Sequence, residues 1–204
     1  SGFHDILTNI VFFFISIFIF IFSIGPEKET LSLVGIGILW TLLLLSSTLS
    51  LRKFYQDDFE SGNITIMYLN GLSMELITVL KTLSHFIFVQ IPFIISIPVA
   101  CILVNIPLDK MYYLIISFLI GSLILSSLGS ISSSMNLLNK RNYLLGSLIV
   151  MIFSIPVIIF SVGIINLEEN VNSLISILFG ILLIVFAVNP WASGACLKLA
   201  LENN

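Results

Sequence analysis

The chain has 204 residues, 58% of them hydrophobic and only 9% charged, with a formal net charge of −3. A water-soluble domain is about 25% charged, so this composition cannot clothe a surface in water, and the lack of a basic excess excludes a nucleic-acid binder. The charges fall between six charge-free stretches, at 6–26, 30–51, 82–108, 111–139, 142–167 and 170–197, each long enough to cross a hydrocarbon layer of about 30 Å as a helix.

The first helix is expected from Leu7 to Ile24. Between Ile10 and Ile24 every residue except Ser16 and Ser23 is Val, Ile or Phe. Such residues favour insertion by roughly 4 to 8 kcal/mol in sum. Their β-branched and aromatic character suits a strand in water, but a strand in lipid leaves its backbone unpaired, so a helix wins. The segment lacks a basic leader and a small-residue cleavage site and is followed by five more spans, so it reads as structure and not as a signal peptide. The chain starts Ser1-Gly2 without Met, which we expect to reflect a trimmed start. Gly25-Pro26-Glu27 ends the helix. The second span is expected at Leu31–Leu51 and the third at Ile77–Val104, kinked by Pro92 and Pro98. The fourth runs Met111–Met135 and the fifth Tyr143–Ile165 around Pro156. The sixth runs Val171–Val188 and continues past Pro190 to a polar end at Glu202-Asn203-Asn204. The expected fold is an all-α integral membrane protein, with residues 1–204 forming one transmembrane domain.

Six spans put both termini and the even-numbered loops on one side. That side holds Arg52, Lys53, Lys81, Lys140, Arg141 and Lys198, against Lys28 and Lys110 on the other, which assigns it to the cytoplasm or mitochondrial matrix. The one long connection, residues 52–76, lies there. Leu51, Phe54, Tyr55 and Phe59 follow helical spacing on one face, with Arg52, Lys53, Gln56, Asp57 and Glu60 on the other. This predicts a short amphipathic cytoplasmic helix between the second and third spans, broken at Gly62-Asn63. It serves either as a passive interfacial helix or as a docking helix for a cytoplasmic partner. In the second case Arg52–Gly62 is the main contact, with Asp57, Asp58 and Glu60 exposed and short of local cations.

In the fourth span Ser122, Ser126, Ser130 and Ser134 recur every four residues beside Gly121 and Gly129. Small side chains along one face permit close helix packing; a hydroxyl-lined pathway is the other reading. Cys101 and Cys196 form no metal or redox spacing and read as small membrane-embedded hydrophobes. No GxxxxGK[ST], HExxH or GxSxG motif occurs, and no Asp, Glu, Lys or Arg lies deep in a span. The chain is therefore expected not to be an enzyme, and to draw any transport energy from another subunit.

Ser23-Ile24-Gly25-Pro26-Glu27, Gly37-Ile38-Leu39-Trp40 and Leu44-Leu45-Ser46-Ser47 resemble the CcmB family of heme exporter B proteins. The likeness continues through Phe54, Asp57-Asp58, Gly62, Lys81 and His85, then Ile155-Pro156, Ile159-Phe160, and Pro190 with Ala192, Ala195 and Leu197. Two features depart from the family: a basic stretch before the first helix is absent, and Leu69-Asn70-Gly71-Leu72-Ser73 stands where prolines are usual. The resemblance implies a permease domain over 1–204 with a cytoplasmic coupling segment at 52–76, in a bacterial inner membrane or a mitochondrial inner membrane. It also implies a separate ABC-type ATPase (heme exporter protein A), membrane partners C and D, the heme chaperone E on the far side, and a role in cytochrome c biogenesis. The ATPase-coupling interface would comprise Phe54, Asp57, Asp58, Glu60 and Gly62, with ATP reaching the complex only through the partner and heme as a possible substrate. A different class, a non-transporting structural subunit of a respiratory or assembly complex, would share the missing P-loop.

Heme often takes a His ligand. His85 lies four residues after Lys81, near the cytoplasmic end of the third span, either as an interfacial histidine bonded within the bundle or as a contact for entering heme. The other candidates are scattered. Met111 and Met135 are about 36 Å apart along a regular helix, Cys196 sits near the inner end of the sixth span, and Trp40 could stack on a porphyrin or simply pack. No cofactor is expected to be held stably.

Overall fold

The structure, a computed structural model, describes residues 2–25, 27–51, 54–138, 143–166 and 170–203. Among these the ordered elements are all helices: α1 (Gly2–Ile24), α2 (Lys28–Leu51), α3 (Gln56–Glu60), α4 (Asn63–Leu69), α5 (Met74–His85), a π-helical turn (Phe86–Gln90), α6 (Ile91–Leu103), α7 (Leu108–Leu138), α8 (Tyr143–Asn166) and α9 (Val171–Glu202). The turn joins α5 and α6 into one span. Six helical segments are then long and apolar enough to cross a membrane, as the charge-free stretches predict. Arg52, Lys53, Lys140 and Arg141, which carry much of the charge asymmetry, lie outside the described residues.

The third span starts three residues earlier than expected. Ser73 caps it, its hydroxyl accepting from the Leu76 N–H at 3.2 Å, and so satisfies an orphan donor of the first turn. The effect of Pro92 falls on the turn before it. Pro92 offers no N–H to the preceding turn; there the Ile91 N–H reaches back five residues to the Phe86 carbonyl. Such wide turns relieve a broken α ladder. At the far end of α6, Asn105 takes a left-handed φ of 57° while the Ile106 N–H bonds the Cys101 carbonyl at 2.9 Å, a C-cap that closes the helix. Gly25, with φ of 101°, ends α1.

Contacts between elements sort the bundle into two ends. At one, Asn105 donates to the Lys28 carbonyl, and Lys110 lines two adjoining hollows, one with Asp109, Ile164, Ile165 and Val171 and one with Glu29, Pro107 and Asn166. At the other lie α3, α4, the start of α5 and the last turns of α7 and α9, where the backbone of Met74 and Glu75 packs against Gly194. Helices α7 and α9 have 31 and 32 residues. That is about 45 Å or more each, so both outrun a hydrocarbon layer of about 30 Å.

α7 is the hub of the bundle. Most of its residues from Ile120 to Ser134, including all four stripe serines, are buried. Lipid does not drive helices together as water does, so association rests on close packing and hydrogen bonds between helices. Gly121 shows the packing half. A Cβ there would run into the indole of Trp40, which is fully buried and lies 4.5 Å from the Phe118 ring centre. Gly35 likewise makes room for Val104. Gly121→Leu should therefore lower stability by about 1–3 kcal/mol through overpacking, read as a drop in thermal midpoint in detergent, whereas Gly37→Leu, whose Cβ meets nothing within 4 Å, should leave it nearly unchanged.

Candidate functional site: a buried polar network beneath the surface helices

The connection between α2 and α5 is built differently from one amphipathic helix. Phe54 and Tyr55 form a turn and point inward; the helix begins only at Gln56. Gly62, with a left-handed φ of 76°, then separates α3 from α4, at the predicted break. Phe59 and Ile64 are buried, Asp57 and Glu60 are exposed, and Glu60 accepts from Gln56 at 2.8 Å. One expectation is corrected here. Asp58 is not short of cations: it is half-buried and ion-paired with Lys81, and it also accepts from Asn63 at 3.2 Å. Lys81 is distant in sequence, and helical pairing brings it back over α3. Of the sequence-predicted interface, then, Asp57 and Glu60 face outward, Asp58 fastens α3 to α5, Gly62 makes the bend, and Phe54 is buried.

The Tyr55 phenol lies 2.7 Å from the Ser130 hydroxyl. Ser130 donates to Ser193 at 3.2 Å, and Ser193 donates to Asn189 Oδ1 at 2.8 Å. Asn189 Nδ2 donates to Thr82 at 2.9 Å, and Thr82 donates to the Thr78 carbonyl at 2.9 Å. A serine hydroxyl has one hydrogen. That of Ser130 goes to Ser193, so Tyr55 must be the donor of the first bond. The chain of bonds thus has one direction, from the surface turn through α7 and α9 into the backbone of α5. Burial pushes the Tyr55 phenol up to about 12, which keeps the donor protonated at any physiological pH.

A second branch runs beside it. His85 Nε2 lies 2.9 Å from Ser50 Oγ, and Nδ1 lies 3.0 Å from Ser126 Oγ. Ser50 spends its hydrogen on the Ser47 carbonyl at 2.7 Å. The ring therefore fits as the Nε2–H tautomer, donating to Ser50 and accepting from Ser126. Phe54 covers the ring at 4.7 Å between centroids. An iron approaching Nδ1 would have to displace Ser126. Five residues on, Gln90 exchanges hydrogen bonds with Ser47 at 3.1 and 3.3 Å. In an α-helix residues five apart point about 140° away from each other. The i→i+5 turn between His85 and Gln90 brings both round to α2.

The serine stripe is thus a packed, hydrogen-bonded face. Ser122 and Ser134 bond back to their own helix, at the Leu119 and Ile131 carbonyls, while Ser126 and Ser130 reach across to His85 and Tyr55. Trp40 packs within the protein, Cys101 is buried, and Cys196 is half-buried. Among the described residues no three His, Cys, Asp or Glu side chains converge as a metal site. Sequence reasoning passed over Gln90, Asn189, Thr82 and Ser193. The signal was present in Gln90 and Asn189, carboxamides in otherwise apolar spans, where a polar side chain must find a partner.

Six apolar helices around a buried, hydrogen-bonded core define a polytopic α-helical membrane protein. The sequence profile of the CcmB protein family matches residues 3–200, and the chain belongs to that family. It is similar to heme exporter protein B of Haemophilus influenzae, 29% identical over 98% of this chain and 91% of that protein. It is also similar to heme exporter protein B of Paracoccus denitrificans, 31% identical over 95% and 90%, and of Rhodobacter capsulatus, 29% identical over 95% and 90%.

Replacing Asn189 with Leu removes both the acceptor for Ser193 and the donor to Thr82. We expect a loss of about 1–3 kcal/mol, the cost of buried polar groups left unpaired, measured as a lower denaturation midpoint in detergent. Asn189→Asp, which keeps the acceptor for Ser193 but loses the donor to Thr82, should be no more stable.

Proposed function

We propose that this chain is the permease subunit of an ABC-type heme exporter complex, acting in cytochrome c biogenesis and driven by ATP hydrolysis on a separate cytoplasmic subunit. The observation that carries the reading is the match over nearly the whole chain to relatives called heme exporter protein B. The chain's own chemistry agrees. It carries no phosphate-binding glycine loop, and its surface helix α3 offers Asp57 and Glu60 to a partner. On this reading the end bearing α3 and α4 faces the cytoplasm (or matrix) with both termini, following the bias of basic residues. The ATPase docks on the outer face of α3. The C and D proteins lie alongside in the membrane, and the heme chaperone E meets the opposite end.

Docking is tested by charge reversal. Asp57 and Glu60 are the informative pair, because changing Asp58 also breaks its ion pair with Lys81. Asp57→Lys with Glu60→Lys should strip the ATPase from the purified complex while the chain still inserts into membranes. Undiminished co-purification would place the docking surface elsewhere.

We further propose that heme is not held stably by this subunit. His85 has both ring nitrogens occupied, and Met111 and Met135 lie far apart on α7, roughly 36 Å by helical rise. The subunit purified without its partners should show no stoichiometric heme absorption band. A ligand-shifted band that vanishes in His85→Ala would make His85 a ligand and reverse the conclusion.

A further inference from the structure

A docking helix that only lay on the membrane surface could bind an ATPase, but it would have little to push against. α3 has five residues, too short to hold itself as a helix in isolation. The two residues that precede it are anchored in the bundle. Tyr55 is fully buried and donates into a bond chain that passes through α7 and α9 to α5. Phe54 is buried against the ring of His85, which is itself tied to Ser50 on α2 and Ser126 on α7. On its outer side α3 is fastened to α5 through Asp58 and Lys81. Besides the Asp58–Lys81 pair and the buried Phe59, a displacement of α3 has two polar or aromatic routes into the spans that begin at Phe54–Tyr55.

We propose that Phe54 and Tyr55 are positioning residues that transmit movement of the α3–α4 surface segment to the spans, through Tyr55 on Ser130 and Phe54 on His85. This rests on the reading above that the ATPase docks on α3. The direction of the bond chain gives the idea its content. Because Tyr55 is the donor and Ser130 already spends its hydrogen on Ser193, withdrawing the phenol leaves Ser130 without its donor but intact toward α9. The contact is one that can be broken and remade without unravelling the core.

The test uses the complete complex in native membranes and reads output per assembled complex, that is, heme-bearing c-type cytochrome divided by the amount of subunit with ATPase bound. A merely structural role would lower the amount of complex and leave this ratio unchanged. Tyr55→Phe keeps the ring and removes only the donor. It should retain the ATPase and lower the ratio by about five-fold, the change that one net hydrogen bond commands. Phe54→Leu should lower the ratio similarly. Ser130→Ala, which removes the acceptor of Tyr55 and also the bond to Ser193, should lower the ratio at least as far as Tyr55→Phe. Full output per complex in Tyr55→Phe and Phe54→Leu overturns the proposal. Failure of the docking reading shows in a separate arm: an Asp57→Lys, Glu60→Lys complex that keeps its ATPase removes the input at α3 and overturns both.

Discussion

A hydroxyl or carboxamide in the hydrocarbon layer has no water to fall back on. It either bonds within the protein or remains unpaired at a cost of several kcal/mol. In this bundle that constraint falls on a small set of side chains, Tyr55, Thr82, His85, Gln90, Ser126, Ser130, Asn189 and Ser193, all of them buried. Their bonds to one another, and to Ser47 and Ser50 of α2, fix how α2, α5, α7 and α9 stand against one another. Apolar packing between helices in lipid is poorly directional, because a leucine contacts a lipid tail almost as well as another leucine. The polar chain has direction and register, and a shift of α9 by one turn would leave Asn189 facing nothing.

The small residues of α7 make that network possible. Gly121 admits the Trp40 ring, and the serines keep the helix slim enough for the phenol and the imidazole to reach it. The π turn does related work in the third span. It lets a helix interrupted by Pro92 keep two polar residues, His85 and Gln90, turned toward α2. Three buried polar atoms stand outside the network with no partner among the described residues: Trp40 Nε1, Ser46 Oγ and Ser161 Oγ. Nothing in the structure accounts for them.

The network also changes what the surface segment is. Read as an amphipathic helix, 51–60 would rest on the bilayer, with its aromatic face dissolved in lipid. In the structure that face is turned into the protein, and only Phe59 and Ile64 serve the short helices themselves. The outward acids Asp57 and Glu60 thus sit on a segment rooted in the bundle, with Asp58 committed to Lys81. A partner bound there would act on the spans through protein contacts and not through lipid.

The number of spans, their helical state, the side-to-side alternation of the loops and the bend at Gly62 were legible in the sequence, because each follows from local quantities: runs without charge, backbone satisfaction in lipid, a glycine's tolerance of positive φ. The close packing at Gly121 was legible as a small-residue pattern, though not its partner Trp40. Only the tertiary structure decided which polar residues meet. Ser130 and Tyr55 are 75 residues apart, and Asn189 and Thr82 are 107 apart. No periodicity within either helix specifies the other. The same holds for Asp58, which looks free beside its sequence neighbours and is paired by Lys81 once α5 folds back over it. Local sequence determines what each span must do about its own backbone; the rotation and depth of each span, and so the pairing of its few polar side chains, are set by the neighbours it packs against.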